Sequence, residues 1–253
     1  MTILRLQDRI TYGPVFSRRL GRSLGVNLLP ADRKVCTFNC IYCHYGYATP
    51  VASSEGIEFP LTDWVLAAVE ESIRRYPYAD YLTFSGNGEP TLHPQFPEIV
   101  AGVRRLLDGM THRLRFAILS NSTTAHRPEI REALALFDAP ILKLDAGDAA
   151  TFAALNRPAP GVNLERIVEG LKGIPGLITQ TVFVDGQVSN VRGEPFEAWL
   201  AALAEIRPVH VQVYSTDRPV PDAGVERVPS AELRRIAEEV QRRTGLQATA
   251  YWA

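Results

Sequence analysis

Outside the stretch KVCTFNCIYCHYG, residues 34 to 46, this chain contains no cysteine. It also lacks an excess of either charge. With 27 Lys and Arg against 28 Asp and Glu, the formal net charge is -1, so no global field draws the protein to nucleic acid or to an acidic membrane surface. No apolar run approaches the ~20 residues of a membrane span. The first residues, MTILRLQDRITYG, alternate polar and apolar instead of forming the h-region of a secretory signal. No repeat, low-complexity tract or linker interrupts the 253 residues. These absences point to a cytoplasmic protein with no membrane partner and a single domain over residues 1–253. Hydrophobic content of 46% with 22% charged residues is that of a soluble globular chain long enough for a sizeable core.

What is present alternates between strand and helix. Short runs rich in β-branched, aliphatic and aromatic residues predict strands at Tyr81–Ser85, Arg115–Ser120, Ile141–Asp145, Ile178–Val184 and Val209–Tyr214, with a first strand around Ser23–Leu28. Helical patterns cover Thr62–Arg75, Pro97–Leu107, Pro128–Phe137, Leu164–Lys172, Pro195–Ile206 and Ser230–Arg243, the last opening on a serine suited to capping and ending before Gly245. Six β–α units in series are the pattern of a parallel sheet with helices outside.

The strand faces refine this. In Ile141–Asp145 the period-two alternation sets Leu142 and Leu144 on one face and Lys143 and Asp145 on the other. In Val209–Tyr214 the valines share one face, and His210, Gln212 and Tyr214 share the opposite one. An open sheet covered by helices on both sides is apolar on both faces. A polar face suits a full or partial barrel whose lumen is a site; for either strand alone, a wet edge strand is the competing reading.

Cys36, Cys40 and Cys43 are the whole thiol complement. Disulfides fit poorly, because cytoplasmic thiols stay reduced and three leave one over. A zinc site needs a fourth ligand. The nearby imidazole, His44, directly follows Cys43, and adjacent residues rarely reach one ion. A non-catalytic zinc-binding protein is nonetheless the alternative of a different class. An iron–sulfur cube fits better, since each of its irons takes one outside ligand, usually a thiolate. Three thiolates then hold three irons and leave the fourth open for chemistry.

Cys36-x3-Cys40-x2-Cys43, with aromatic Tyr42 just before the last cysteine, resembles the signature of radical S-adenosylmethionine (SAM) enzymes. The resemblance implies a [4Fe–4S] cluster whose open iron is chelated by the amino and carboxylate groups of SAM. It further implies reductive cleavage of SAM to a 5′-deoxyadenosyl radical, hydrogen abstraction from a substrate, and a flavodoxin- or ferredoxin-like electron donor. The fold it implies is α/β, a partial TIM-type (β/α)6 barrel with the cluster loop after the first strand. A second stretch, FSGNGEP from Phe84 to Pro90, is similar to the family's GGE segment, which places Gly86, Asn87, Gly88 and Glu89 around the SAM amino group; Asn87 stands where the family has its middle glycine. The residues suit that role physically. Gly86 and Gly88 let backbone approach a ligand, Pro90 biases Glu89 toward an extended conformation, and a carboxylate matches an ammonium. Taken alone, the stretch also reads as a tight βα turn.

Other candidates follow from position. Ser120 and Asn121 end the third strand and are read either as contacts to the ribose or carboxylate of SAM or as the start of an Asx turn. Lys143 and Asp145 face inward as candidate catalytic residues, with a buried ion pair as the alternative. Gln180 and Tyr214 lie on late strands, where the resemblance puts the adenine. Gly13–Pro30, Leu142–Asp148, Asn156–Pro158 and Tyr214–Pro219 resemble the wyosine-synthase-like branch, which includes tRNA-modifying enzymes. Those enzymes carry further cysteines upstream for an auxiliary cluster, and none precedes Cys36 here. Arg18, Arg19 and Arg22 read as a phosphate-binding patch or as a solvated basic loop. A tRNA surface usually leaves a basic balance, so a small-molecule or peptide substrate is expected, with tRNA base modification of the wyosine type as the alternative.

Overall fold

The computed structural model describes residues 3–110 and 114–252. Its sheet runs in the order β1 (Thr11–Ser17), β2 (Gly21–Val26), β3 (Tyr81–Phe84), β4 (Arg115–Ser120), β5 (Ala139–Lys143), β6 (Ile178–Gly186), β7 (His210–Ser215) and β9 (Ala248–Tyr251). The short β8 (Val225–Arg227) pairs off this path with the end of β6. β1 is antiparallel to β2, and every later pair on the path is parallel. The path has two ends, so the sheet curls into a partial barrel. The parallel strands number seven among the described residues, one more than six units predict, because β9 adds itself beside β7.

The helices α1 (Thr62–Arg75), α2 (Phe96–Asp108), α3 (Pro128–Leu134), α4 (Ala149–Asn156), α5 (Leu164–Leu171), α6 (Gly193–Ile206) and α7 (Ser230–Thr244) follow the strands. Their buried stripes and the outward strand faces form one core. Phe84 packs edge-on to Phe96, Phe116 and Phe137, and Trp199 packs edge-on to Phe183. Burying aromatic side chains in such offset pairs is a large share of the driving force for wrapping helices on a sheet.

Two expectations change. Ser230 does not cap α7: Pro229 takes the extended N-cap position, no side-chain cap bond forms, and Ser230 is already helical. Gly245 ends the helix in the left-handed region, at φ 71°, as its lack of a Cβ allows. α4 was not foreseen, because Ala149–Asn156 shows no amphipathic period. Its signal is the cap: Asp148 accepts a hydrogen bond from the Thr151 N–H at 2.8 Å.

The alternation of faces holds through β5, although its ladder covers Ala139–Lys143, so Leu144 and Asp145 lie just past its end. Leu142 and Leu144 are buried in the main core. Below the site, Leu20, Ala117, Ala139 and Ile141 with Tyr81, Leu119 and Ile178 form a separate apolar plug in the lumen. Above it the inward residues turn polar. Truncating a residue of the outer core should cost about 2–5 kcal/mol, so Leu144→Ala is expected to lower the denaturation free energy by that amount. Lys143→Ala should lower it less; a reversed order in urea melts would move the register by one residue.

Candidate active site

The three cysteines sit on the loop after β2, and that loop is fastened on both sides. On one side Val35 bridges Gly88, with the Val35 N–H donating to the Asn87 carbonyl and the Glu89 N–H to the Val35 carbonyl, both at 2.9 Å. On the other side Phe38 bridges Pro158, the Asn39 N–H donates to the Asn156 carbonyl at 2.9 Å, and the Ile41 N–H donates to the Leu155 carbonyl at 3.0 Å. Just past the second fastener a turn closes from the Cys43 N–H to the Cys40 carbonyl at 3.1 Å. The segment from Phe84 to Pro90 and the Asn156–Pro158 segment are therefore the two walls that carry the cysteine loop.

The thiols are free, Cys40 buried and the other two half-buried, and all three line one cavity of about 330 Å³. The Asn121 side-chain amide lies 3.4 Å from Cys36 Sγ, and that of Asn156 lies 3.4 Å from Cys40 Sγ. Burial, and then the neighbouring Cys40 sulfur, push the Cys36 thiol up to about 12. Burial, then Cys43 and Asp145, push Cys40 up to about 11. Three thiolates crowded together without a cation would repel one another, and a cationic group bound among them removes that penalty. No group of three or more His, Cys, Asp or Glu side chains among the described residues is gathered around a single ion position. A donor set of three spaced thiols suits a polynuclear group.

Glu89 faces the same cavity and is 1% exposed. Its Oε1 accepts from the Thr91 N–H at 3.0 Å, the Thr91 hydroxyl at 2.7 Å and the Ser120 hydroxyl at 2.9 Å, while Oε2 accepts from the Asn121 N–H. Even so, burial raises its pKa above the usual carboxylate value. Four neutral donors do not compensate the desolvation of this carboxylate, so the cavity presents a buried acid without a cation.

Gly86 and Gly88 also have a task inside the fold. A Cβ on Gly88 would lie 1.8 Å from the Val35 carbonyl oxygen, and one on Gly86 would lie 2.6 Å from Asn27 Oδ1. Both glycines border the cavity, but what they admit so closely is the protein's own chain. Asn87 likewise turns away from the cavity. Its side chain accepts from the Gln7 N–H at 2.7 Å and donates to the Gln7 and Pro30 carbonyls at 2.9 and 2.8 Å. The asparagine in place of a glycine thus straps the N-terminal segment down, and the Leu4 N–H bonds that segment to the His44 carbonyl at 2.8 Å.

Ser120 and Asn121 are also occupied internally. Ser120 serves Glu89, and Asn121 Oδ1 accepts from the Thr123 N–H at 3.0 Å, the Asx turn of the alternative reading. Lys143 and Asp145 form the ion pair of theirs, Nζ lying 3.1 Å from Oδ1. Asp145 is fully engaged: Oδ2 accepts from the Tyr42 hydroxyl and from Asn156 Nδ2 at 2.9 Å, and Oδ1 accepts from the Val182 N–H at 2.9 Å. Tyr42, 7% exposed, is therefore a second-tier support that still borders the cavity. Lys143 is different. Its ammonium is close to Asp145 but aligned in no hydrogen bond, and it hangs 5.0 Å from the Tyr42 ring and 5.5 Å from the Tyr214 ring. Burial opposes its charge, but neighbouring anionic groups, Asp145 first, keep its pKa above the ordinary value. Gln180 donates to Gln212 at 3.0 Å and accepts from the Tyr214 hydroxyl at 3.3 Å, which gives the polar lumen wall that the alternation of β7 predicted.

The three early arginines do not form a free patch. Arg18 pairs with Asp217, and Arg22 holds Asp80 through two side-chain bonds of 3.1 and 2.9 Å. Arg19 lies 4.4 Å over the Tyr214 ring. Together Arg18 and Arg19 draw the β1–β2 turn across the open side of the barrel to β7. Residues the sequence reading missed are Asn156 and Thr37. Asn156 was visible only as part of a motif; its amide reaches Cys40, Tyr42 and Asp145 at once, a convergence no local pattern encodes.

The family model described as the Radical SAM superfamily matches residues 34–188. A UPF0026 protein of Synechocystis sp. is 33% identical over 83% of this chain and 76% of its own length. Among solved structures, TYW1 with a lysine-pyruvate adduct bound superimposes with a TM-score of 0.64 at 13% identity, over 88% of this chain and 74% of that one. Native anSMEcpe with bound AdoMet gives 0.59 at 14% identity, over 89% and 63%. At such identities the two structures share the partial barrel with this chain, and the likeness to the wyosine-synthase-like branch extends no further than fold.

The thiols yield a pH prediction for the metal-free protein. With folded-state pKa values near 12 and 11, Cys36 and Cys40 stay protonated in the fold while the unfolded chain loses those protons from about pH 8.5 upward. The unfolded state then binds fewer protons, so stability falls as pH rises through this window. Thermal melts between pH 8 and 10.5 should show a steeper fall for the parent than for Cys36→Ala/Cys40→Ala; parallel curves would remove the thiols as its cause.

Proposed function

The chain belongs to the radical SAM superfamily and to the UPF0026 proteins, and from that premise we propose that its cysteine cavity binds a [4Fe–4S] cluster and SAM and abstracts hydrogen from a small-molecule or peptide substrate. One observation carries the reading: three free thiols and a buried carboxylate without a cation line the same cavity. In this role Cys36, Cys40 and Cys43 would be the cluster ligands. When bound, the cluster and SAM supply an electron and a 5′-deoxyadenosyl radical.

The residues do the rest by position and charge. Glu89 takes the ammonium of SAM and gains the positive partner it lacks. Lys143, with protons to spare, receives the carboxylate of SAM or of the substrate, while Asp145 fixes Lys143 and Tyr42 in place. Gln180 and Tyr214 offer polar and aromatic contacts to the adenine. The Asn121 and Asn156 amides, donating toward Cys36 and Cys40, ease the negative charge of the sulfurs. The apolar plug under the lumen keeps water from reaching the site from below, and the strapped cysteine loop covers part of it from above.

Charge favours a small substrate over tRNA. The chain is net -1, and Arg18 and Arg22 are already paired with Asp217 and Asp80. The electron donor is a flavodoxin- or ferredoxin-like protein, and the compartment is the cytoplasm; no helix among the described residues is long and apolar enough to cross a membrane. The region acts as one domain, residues 1–253.

Protein reconstituted without oxygen should hold about four irons and four sulfides, and Cys36→Ala/Cys40→Ala/Cys43→Ala should hold none. Stoichiometric zinc without iron would establish the zinc-binding alternative. Glu89→Gln is expected to keep its iron but to weaken SAM binding by about 1.5–3 kcal/mol, the range for a hydrogen bond to a charged group. Calorimetry with SAM decides this, and equal affinity in the two proteins would return Glu89 to a purely structural role.

A further inference from the structure

A second cavity, of about 410 Å³, lies on the far side of the cysteine loop, between residues 52–54, the β4–α3 loop and the α4–α5 loop. It shares no lining residue with the cysteine cavity, although Thr37, next to Cys36, is in its wall. Its volume is in the range of small-ligand sites. Its chemistry is one-sided: hydroxyls from Ser54, Thr123 and Thr124, the imidazole of His126 and the guanidiniums of Arg127 and Arg166 line it, and no carboxylate does.

One of these groups has unused capacity. His126 Nδ1 is buried with no side-chain partner and faces the protein rather than the open cavity, while the imidazole is tied to the Thr123 backbone. Arg166 pairs with no carboxylate among the described residues, while Arg127 is held by Glu129 at 2.8 and 2.6 Å. Burial, and after it the Arg166 charge, hold the His126 pKa below its usual value; Arg127 adds to this and Glu129 opposes it. An anion beside Arg166 would offset that repulsion and supply the partner that Arg166 lacks. The Thr123 and Thr124 hydroxyls donate to Asn121 and Thr91, which leaves the Arg166 and Arg127 guanidiniums and the Ser54 hydroxyl as donors around a cavity without acids, a set that matches the acceptor oxygens of a phosphate.

We propose that this cavity is a binding site for the phosphate monoester of a small phosphorylated molecule, such as a sugar phosphate. The site stands apart from the cluster reading, because it uses none of the same residues and needs neither SAM nor iron to bind its ligand. Its position behind the cysteine loop makes it a second ligand site of the enzyme, with Arg166 as the principal anchor and Arg127 beside it.

The test is calorimetry on the full chain with ribose 5-phosphate, inorganic phosphate and ribose as probes. Ribose 5-phosphate should bind and ribose should not. Arg166→Gln should weaken binding tenfold or more and Arg127→Gln severalfold, whereas Arg234→Gln, on the remote α7, should leave it unchanged. Arg166 and Arg127 are both exposed, so their variants will fold. Inorganic phosphate binding as tightly as the sugar phosphate would keep the anion site but overturn the monoester preference. No binding of either phosphate, or equal binding by Arg166→Gln, would overturn the proposal. Binding of an RNA oligonucleotide that is lost in Arg166→Gln, without binding of ribose 5-phosphate, would replace it with a nucleic-acid backbone contact.

Discussion

A carboxylate taken out of water must be met by donors from every side, and in this protein Asp145 sets that demand at the junction of four elements. Tyr42 answers from the cysteine loop, Asn156 from the end of α4, the Val182 N–H from β6 and Lys143 from β5 itself. Removing any one leaves a buried charge short of a partner, which costs more than the same bond at the surface. The carboxylate therefore fixes the distance between the cysteine loop and the lumen wall, although it does not line the cavity. Asn156 extends the constraint to sulfur, since the same amide group that serves Asp145 also reaches Cys40.

The other wall is built from backbone. Gly88 can lie against Val35 only because it has no side chain, and the contact turns the strand-end segment and the cysteine loop into neighbouring extended chains. Glu89 follows directly, its N–H already committed to the Val35 carbonyl, so its carboxylate points where the loop geometry sends it. Site and fold are thus not separable here: the residues nearest the thiols are also those that hold the loop to the barrel.

Much of this was legible from residues in series. The period-two pattern of Ile141–Asp145 and Val209–Tyr214 placed Lys143, Gln212 and Tyr214 on the inner face, and three clustered thiols marked the loop. What stayed hidden depends on chain segments far apart in sequence. Asn87 reads as a ligand contact until Gln7 and Pro30 are found beside it, and Ser120 reads as a contact to a cofactor until its hydroxyl is found donating to Glu89. The seventh parallel strand and α4 were missed for a local reason. Ala248–Tyr251 is too short to stand out, and Ala149–Asn156 buries residues without a helical period.

The turn between β1 and β2 closes the open side of the barrel with unusual economy. One half-exposed ion pair, Arg18 with Asp217 at 37% and 17% side-chain exposure, and one guanidinium over Tyr214 span the gap where a complete barrel would have further ladder. Such ties are worth about 1 kcal/mol or less each near the surface, and the ion pair weakens as salt shortens the Debye length to about 3 Å at 1 M. The ladder hydrogen bonds and the aromatic core carry no such dependence. Ionic strength therefore reaches the lateral seam beside the lumen, as it reaches the exposed pairs Arg157–Asp222 and Arg243–Glu197 elsewhere, and makes the width of that seam a property of the solution as well as of the fold.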